Sequence, residues 1–549
     1  MNNFGGINWL ELTVLGAGLG TRANRPVWLQ EMFGLRTRRE RSMQGRGSST
    51  RARRWRAIDG DDESENDDDG SDKEEEYETD SDFIPEDEDF EGPRSDEQTS
   101  QENEITLKDH PLGVKLRCRT AASHASCRFG KVQPGEPVNA LLMVAGREMN
   151  VTGKSNFSRA EQCHMGSKYL PLHGGKVIDQ MNSRAYTGQF SADGSVFVAG
   201  FQDQRIKIYN VEQGWKVQKD IICRNLRWTV TDTALSPDQR FLVYASINPI
   251  VHLVNVGNES GGVQSLANIT DIHEGLDLSV DPDVDSMFGI WSLQFSHDGR
   301  EIVAGANDKS IYVYDMEAQR TTSRVVAHSD DVNAVVFADN SCNVIYSGSD
   351  DSKCKVWDRR CFSQRGKAAG ILEGHLEGIT DLDTFGDGQY FISNSKDQTL
   401  KLWDVRKMTS HAPRSQKIPT LGWDYRWGDY PARGKNLKHP YDVSIMTYTG
   451  HRVLKTLIRC YFSPAYTTGQ KYIYTGSADG MVYIFDVVTG KLVSRLRSHR
   501  GPVRDVSWHP TQPMLVTSSW DGQITKWVYS PEEVVHRPPV SFYDDEESF

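Results

Sequence analysis

The stretch SGSDDSKCKVWD, Ser347 to Asp358, is the clearest copy of a twelve-residue block that recurs seven times. A small-residue cluster leads to an aspartate at the fifth place, Asp351, and an alternating run closes on Trp357-Asp358. The copies end at Asn210, Asn255, Asp315, Asp358, Asp404, Asp486 and Val528, spaced 45, 60, 43, 46, 82 and 42 residues apart. Alternation is the strand period, and a repeat of 40–45 residues marks one supersecondary unit that must stack on its neighbours to bury its faces. Seven units predict an all-β fold, a seven-bladed β-propeller over 176–530 with four strands per blade.

Each repeat divides in the same way. Inner strands are expected at Ile290 to Phe295, Val332 to Phe337 and Val503 to Trp508, followed by turns such as Ser296-His297-Asp298-Gly299. Asp203, Asp308, Asp351, Asp397, Asp479 and Asp521 fall in the turn between second and third strands, with Asn248 in that place in blade two. His328, His375, His451 and His499 end the connection from the preceding blade. The Trp-Asp endings resemble WD repeats. That resemblance implies a bond from each histidine to its turn aspartate, continued through a strand hydroxyl to the tryptophan indole. His328–Asp351, His375–Asp397, His451–Asp479 and His499–Asp521 are therefore expected to be structural pairs, since a catalytic dyad would not recur blade after blade. Blades one to three lack the histidine and are expected to be less rigid. A strand within Ser167 to Asp179 is expected to complete the last sheet and remove its unpaired edge.

The 549 residues carry a net charge of −13 in three unequal zones. Residues 1–58 hold 11 Arg and 3 Glu, a basic arm; residues 59–104 hold 24 acids against Lys73 and Arg94 and are expected to stay disordered. The remainder is almost neutral, with 50 basic and 49 acidic groups, which speaks against nucleic acid as a partner. A partly helical arm is expected over 105–175 and an acidic tail over 531–549. Pro137 to Val144 predicts a helix stopped by Gly146, and Ser158-x-x-Glu161 a capping box opening another. The eight cysteines form no Cys-x-x-Cys pair, so reduced thiols in the nucleus or cytoplasm are expected, without a metal site. No apolar run of about 18 residues exists and Met1 to Leu15 lacks a basic lead, so neither membrane span nor secretory signal is expected. Gly16-Ala-Gly-Leu-Gly20 lacks the third-glycine spacing and the following acid of a dinucleotide loop. No catalytic motif appears, and neither an enzyme nor a cofactor is expected.

Two insertions break the period. The longer, about 407–442, joins the third and fourth strands of blade five and is expected on the bottom face. It is aromatic, with Trp423, Tyr425, Trp427, Tyr430 and Tyr441. Its Trp423-Asp424-Tyr425-Arg426 imitates a repeat ending but has no block before it, and is expected to be loop. The other, Asp271 to Gly289, is expected as an acidic top-face loop between blades two and three, with Asp271, Glu274, Asp277, Asp281, Asp283 and Asp285.

Two repeats end in Trp-Asp-x-Arg, at Trp357-Asp358-Arg359-Arg360 and Trp403-Asp404-Val405-Arg406. The arginine is expected in a bottom-face loop with its guanidinium free, suited to anchoring a partner. Such propellers resemble the substrate receptors of cullin-4 ubiquitin ligases, which dock on damaged-DNA-binding protein 1. Asp331 to Asp339, Cys354 to Arg360, Ile392 to Asp404, Trp423 to Trp427, Thr456 to Cys460 and Arg504 to Pro510 are similar to the WD-repeat protein 23 (DDB1- and CUL4-associated factor 11) family, and more so to its plant LEC14B-like homologues. The resemblance implies a DDB1-type adaptor at Trp357, Asp358, Arg360, Trp403, Asp404 and Arg406, assisted by the helical arm, with a protein substrate bound elsewhere. The rival expectation is a scaffold or a histone- or peptide-binding propeller with no ligase.

Overall fold

The computed structural model describes residues 107–120, 140–149, 156–256, 273–278, 288–362, 367–409, 422–435 and 437–530. The arms at 1–58, 59–104 and 531–549 lie outside them. Seven antiparallel four-stranded sheets form the propeller. Blades one to six span Ala185–Ile222, Asp232–Asp277, Ile290–Val326, Val332–Leu372, Ile379–Thr449 and Cys460–Arg497. Blade seven takes three strands from Val503–Val528, and His173–Gln180 pairs antiparallel with Gln523–Val528 as its fourth. The closing strand starts later than Ser167, because Ser167 still caps the preceding helix.

The second-to-third-strand turns and the blade-to-blade connections share one face, here the top. The other two turns of each blade lie at the bottom. The apolar core sits between neighbouring sheets. Between blades four and five, for example, Val336, Tyr346, Val356, Leu382, Phe391 and Trp403 are buried together, with Tyr346 stacked on Phe391 at 4.6 Å. Seven two-layer cores replace one central core, so each blade depends on both neighbours.

An irregularity recurs at the top of the first strand. One extra residue bulges out between the paired positions, and it is Tyr186, Trp291, Asn333, Thr380 and Arg504 in blades one, three, four, five and seven. A bulge re-aims the side chain it carries. Asn333 and Thr380 use theirs to donate to the next blade's backbone, at Ile379 O (2.8 Å) and Ile458 O (2.9 Å). Arg504 reaches Tyr186 O of blade one in the same way and, beyond it, Thr231 O at the start of blade two. These bonds stitch adjacent blades around the channel mouth.

The arm comprises α1 (Pro111–Thr120), α2 (Ala140–Glu148) and α3 (Arg159–Gly166). The second runs through Gly146, which does not stop it; residue 137 is outside the described part. α3 opens with the reciprocal Ser158–Glu161 capping box. α1 was missed in the sequence, its apolar face being short: Leu112 and Leu116 alone carry it into the core beside Phe385 and Tyr390.

The second insertion is divided differently from expectation. His273–Asp277 forms the fourth strand of blade two, pairing with Ile250–Val254, so Glu274 and Asp277 are strand residues. Leu276 and Leu278, both buried, fix that choice. Asp271, Asp281, Asp283 and Asp285 lie outside the described residues, and a single six-carboxylate top loop does not exist.

Candidate functional site

Three histidines close the expected network. His328 Nδ1 lies 2.9 Å from Asp351, its Nε2 2.7 Å from Ser347 Oγ, and the Trp357 indole donates to the same hydroxyl at 2.8 Å. His375, Asp397, Ser393 and Trp403 repeat this at 3.0, 2.6 and 2.7 Å. His499, Asp521, Thr517 and Trp527 do so at 3.1, 2.6 and 3.4 Å. Burial would raise the Asp351 carboxyl, but the His328 contact outweighs it and brings it down to about 2.

His451 corrects the fourth pairing. It does not bond Asp479; its Nε2 meets Asn394 Oδ1 of blade five at 2.8 Å, and its Nδ1 is buried without a partner. Asp479 instead accepts the Tyr483 hydroxyl at 2.7 Å, and Asp308 of blade three accepts that of Tyr312 at 2.6 Å. The signal was present in the sequence: blades three and six carry tyrosine four residues after the turn aspartate. The Asn248 amide of blade two reaches Asn225 O instead.

Trp357 and Trp403 are fully buried in these networks, which removes them from any partner surface. The arginines remain outside. Each motif aspartate caps a short 3₁₀ turn, and the arginine two places on folds back on it. Arg360 donates to Asp358 at 2.8 and 2.6 Å, and Arg406 to Asp404 at 2.7 Å and to Tyr390 Oη at 3.2 Å. The guanidiniums are therefore held rather than free, yet their side chains stay 69% and 59% exposed. Arg360's hydrogen bonds keep the Asp358 carboxyl below its ordinary range; at Asp404, burial opposes ionisation and the Arg406 bonds overcome it. A bidentate fork fixed before contact loses little entropy on meeting a carboxylate or carbonyl.

The arm packs on this same face. Leu107 N donates to Val488 O, Lys115 pairs with Asp387 at 2.5 Å, and Arg119 lies over Phe385 at 4.2 Å. His110, just before α1, lies edge-on to Tyr390, whose hydroxyl accepts from Arg406. At Gly166 a Cβ would meet Thr467 O at 2.1 Å, so α3 approaches the blade-six loop as closely as glycine permits. Between α1, α3 and that loop lies a cavity of about 380 Å³ lined by Cys118, Arg119, Arg159, Ala160, Cys163 and Ala465.

The aromatic insert belongs elsewhere. It leaves from the bottom rim after Arg406, but Tyr425 O accepts from Lys455 N of the top connection, and Lys396 of the top turn stands 4.1 Å over the Tyr425 ring. The Trp423–Trp427 segment thus caps the top of blade five, contrary to the expected bottom-face position, with Trp427 85% exposed. Arg426 folds on Asp424 at 2.6 Å as the two motif arginines do on theirs. The Asp-x-Arg fork is thus a local structure, and only the blade decides which face displays it.

Inside the channel Arg459 bridges Asp232 (2.5 Å) and Asp505 (3.3 Å), joining blades six, two and seven across the axis. The two carboxylates also accept Leu293 N and Gly188 N. The described residues contain no group of three side chains arranged to hold a metal. No described helix is long and apolar enough to cross a membrane.

The fold and its repeated networks define a WD-repeat β-propeller, and the WD domain, G-beta repeat family matches at 285–315, 319–358, 366–404, 442–486 and 490–527. The chain is 60% identical to the LEC14B homolog of Prunus armeniaca over 72% of this chain and 83% of the relative. It is 56% identical to the LEC14B protein of Lithospermum erythrorhizon over 79% and 92%. With the DDB1- and CUL4-associated factor 11 homolog of Caenorhabditis elegans the identity is 34% over 75% and 73%. The chain belongs to the LEC14B and DDB1- and CUL4-associated factor 11 family.

Proposed function

We propose that this protein is a substrate-recognition subunit of a cullin-4 ubiquitin ligase, docking on a DDB1-type adaptor by its bottom face. The observation that carries the reading is the pair of exposed, preset Asp-Arg forks on adjacent blades four and five, beside a helical arm packed on the same face. The names of the nematode relatives, which state association with DDB1 and CUL4, agree with it. The propeller performs no bond chemistry in this reading. It holds a protein substrate so that a ubiquitin thioester carried by the ligase meets a substrate lysine, which is rate enhancement by proximity. The opposite, top face is then the side available to substrate.

Pull-down of DDB1 and cullin-4 by the full-length chain tests the proposal. Capture by the native protein and loss with Arg360→Ala/Arg406→Ala support it. A folded native protein that captures neither returns the chain to the scaffold reading.

A further inference from the structure

Resting on the reading of the top face as the substrate side, we infer that Trp228, Trp291 and Asp331 form a recognition site for a lysine or arginine side chain of a protein partner.

The argument begins with the bulge residues. Where Asn333, Thr380 and Arg504 donate to backbone carbonyls of neighbouring blades, Trp291 donates to a side chain: its indole N–H goes to the Asp331 carboxylate, at the start of blade four, at 3.3 Å. Trp291 meets Trp228 edge to face at 6.2 Å, and Trp228 continues to Tyr186 at 5.6 Å and thence to Trp520 at 5.7 Å. An aromatic arc therefore runs along the top of blades seven, one, two and three. Trp228 is 53% exposed and held at φ +67°, a left-handed conformation costly for a bulky side chain. An exposed, strained tryptophan gains nothing for the core, and such strain concentrates at binding sites.

The chemistry of the occupant follows from the rest of this face. Its own cations already use aromatic faces: Arg184 lies 4.6 Å over Trp520, Arg504 5.3 Å over Tyr186 and Lys396 4.1 Å over Tyr425. Among the described residues none stands over Trp228 or Trp291. Among the described residues the acid beside them has no ion pair, and the Lys396 charge acts on it only at longer range. Lys396 pairs with Asp350, at 2.8 Å, and not with Asp331 or Asp330. Burial and the neighbouring Asp350 and Asp330 push the Asp331 carboxyl up to about 6, a cost that an incoming cation relieves. An indole face and a half-buried carboxylate together suit an ammonium or guanidinium better than an anion or an apolar chain.

The test is selection of a random seven-residue peptide library on immobilised full-length protein, then affinity of the selected peptides for Trp291→Ala, Trp291→Phe and Asp331→Asn. The expected result is enrichment of peptides with Lys or Arg, at least tenfold weaker binding by Trp291→Ala and Asp331→Asn, and near-native binding by Trp291→Phe. Unchanged unfolding midpoints and unchanged adaptor capture separate this site from folding and from the bottom face. Enrichment of acidic or apolar peptides, no enrichment, or full-strength binding of cationic peptides by Asp331→Asn would overturn the inference. If cationic peptides bind the site but adaptor is never captured, the inference stands and the ligase reading fails.

Discussion

Tyr483 donates its hydroxyl to Asp479 at 2.7 Å, taking the carboxylate that a histidine serves in blades four, five and seven. Blade six thereby keeps its turn pinned while His451 is released to bond Asn394 of blade five, at 2.8 Å. The same aspartate position is satisfied in two chemically different ways within one ring.

Tyr483→Phe is expected to lower stability by about 1–3 kcal/mol, because Asp479 loses its side-chain donor in a partly buried site. Tyr312→Phe should cost less, since Asp308 keeps the Arg324 guanidinium at 2.9 Å. Urea unfolding of each variant checks this, and native stability in Tyr483→Phe would show that another donor takes over.

His451 gives a pH prediction. Burial brings its pKa down to about 4, and the more distant Asp397 and Asp479 restore only part of the loss. The folded state therefore holds the ring neutral while the unfolded chain takes up a proton below about 6.5. The stability contribution is complete above pH 6.5 and is lost as pH falls toward 4. Between pH 7.5 and 5 the group should remove about 2 kcal/mol. The difference should shrink by that amount in His451→Gln; equal pH dependence in both proteins would show that the ring protonates without penalty.

Ser393 accepts the Trp403 indole and contacts His375, at 2.7 and 2.6 Å. Ser393→Ala strands two buried polar groups at once and should cost upwards of about 2 kcal/mol. Adaptor capture should fall no further than folding does. Loss of capture by a fully stable variant would instead make blade five's interior part of the docking signal.

For the bottom face, Arg360→Ala/Arg406→Ala should weaken adaptor binding on the order of thirtyfold, as the loss of an interface anchor does. The melting temperature should barely move, since both side chains are exposed and bond mainly to their own motif's aspartate. Titration of purified adaptor, with melting curves as control, measures both.

The sequence determined what repeats. Strand alternation, turn aspartates and Trp-Asp endings are short-range features whose physics is the same in every blade, so blade number, the inner strands and three of the four histidine networks were legible. The position of the two arginine forks was legible too, because the third strand of any blade ends at the bottom. Tertiary structure decided where a chain segment goes once it leaves its blade. The insert starts at the bottom beside Arg406 yet caps the top, because the Lys396 ammonium and Lys455 N–H offer Tyr425 partners that lie there. His451 turned from its own aspartate because a neighbouring blade supplied Asn394. Trp228, Trp291 and Asp331 lie 40 to 103 positions apart and carry no shared motif. Only the side-by-side packing of blades two, three and four, and a bulge that turns the Trp291 indole toward Asp331, bring them onto one surface.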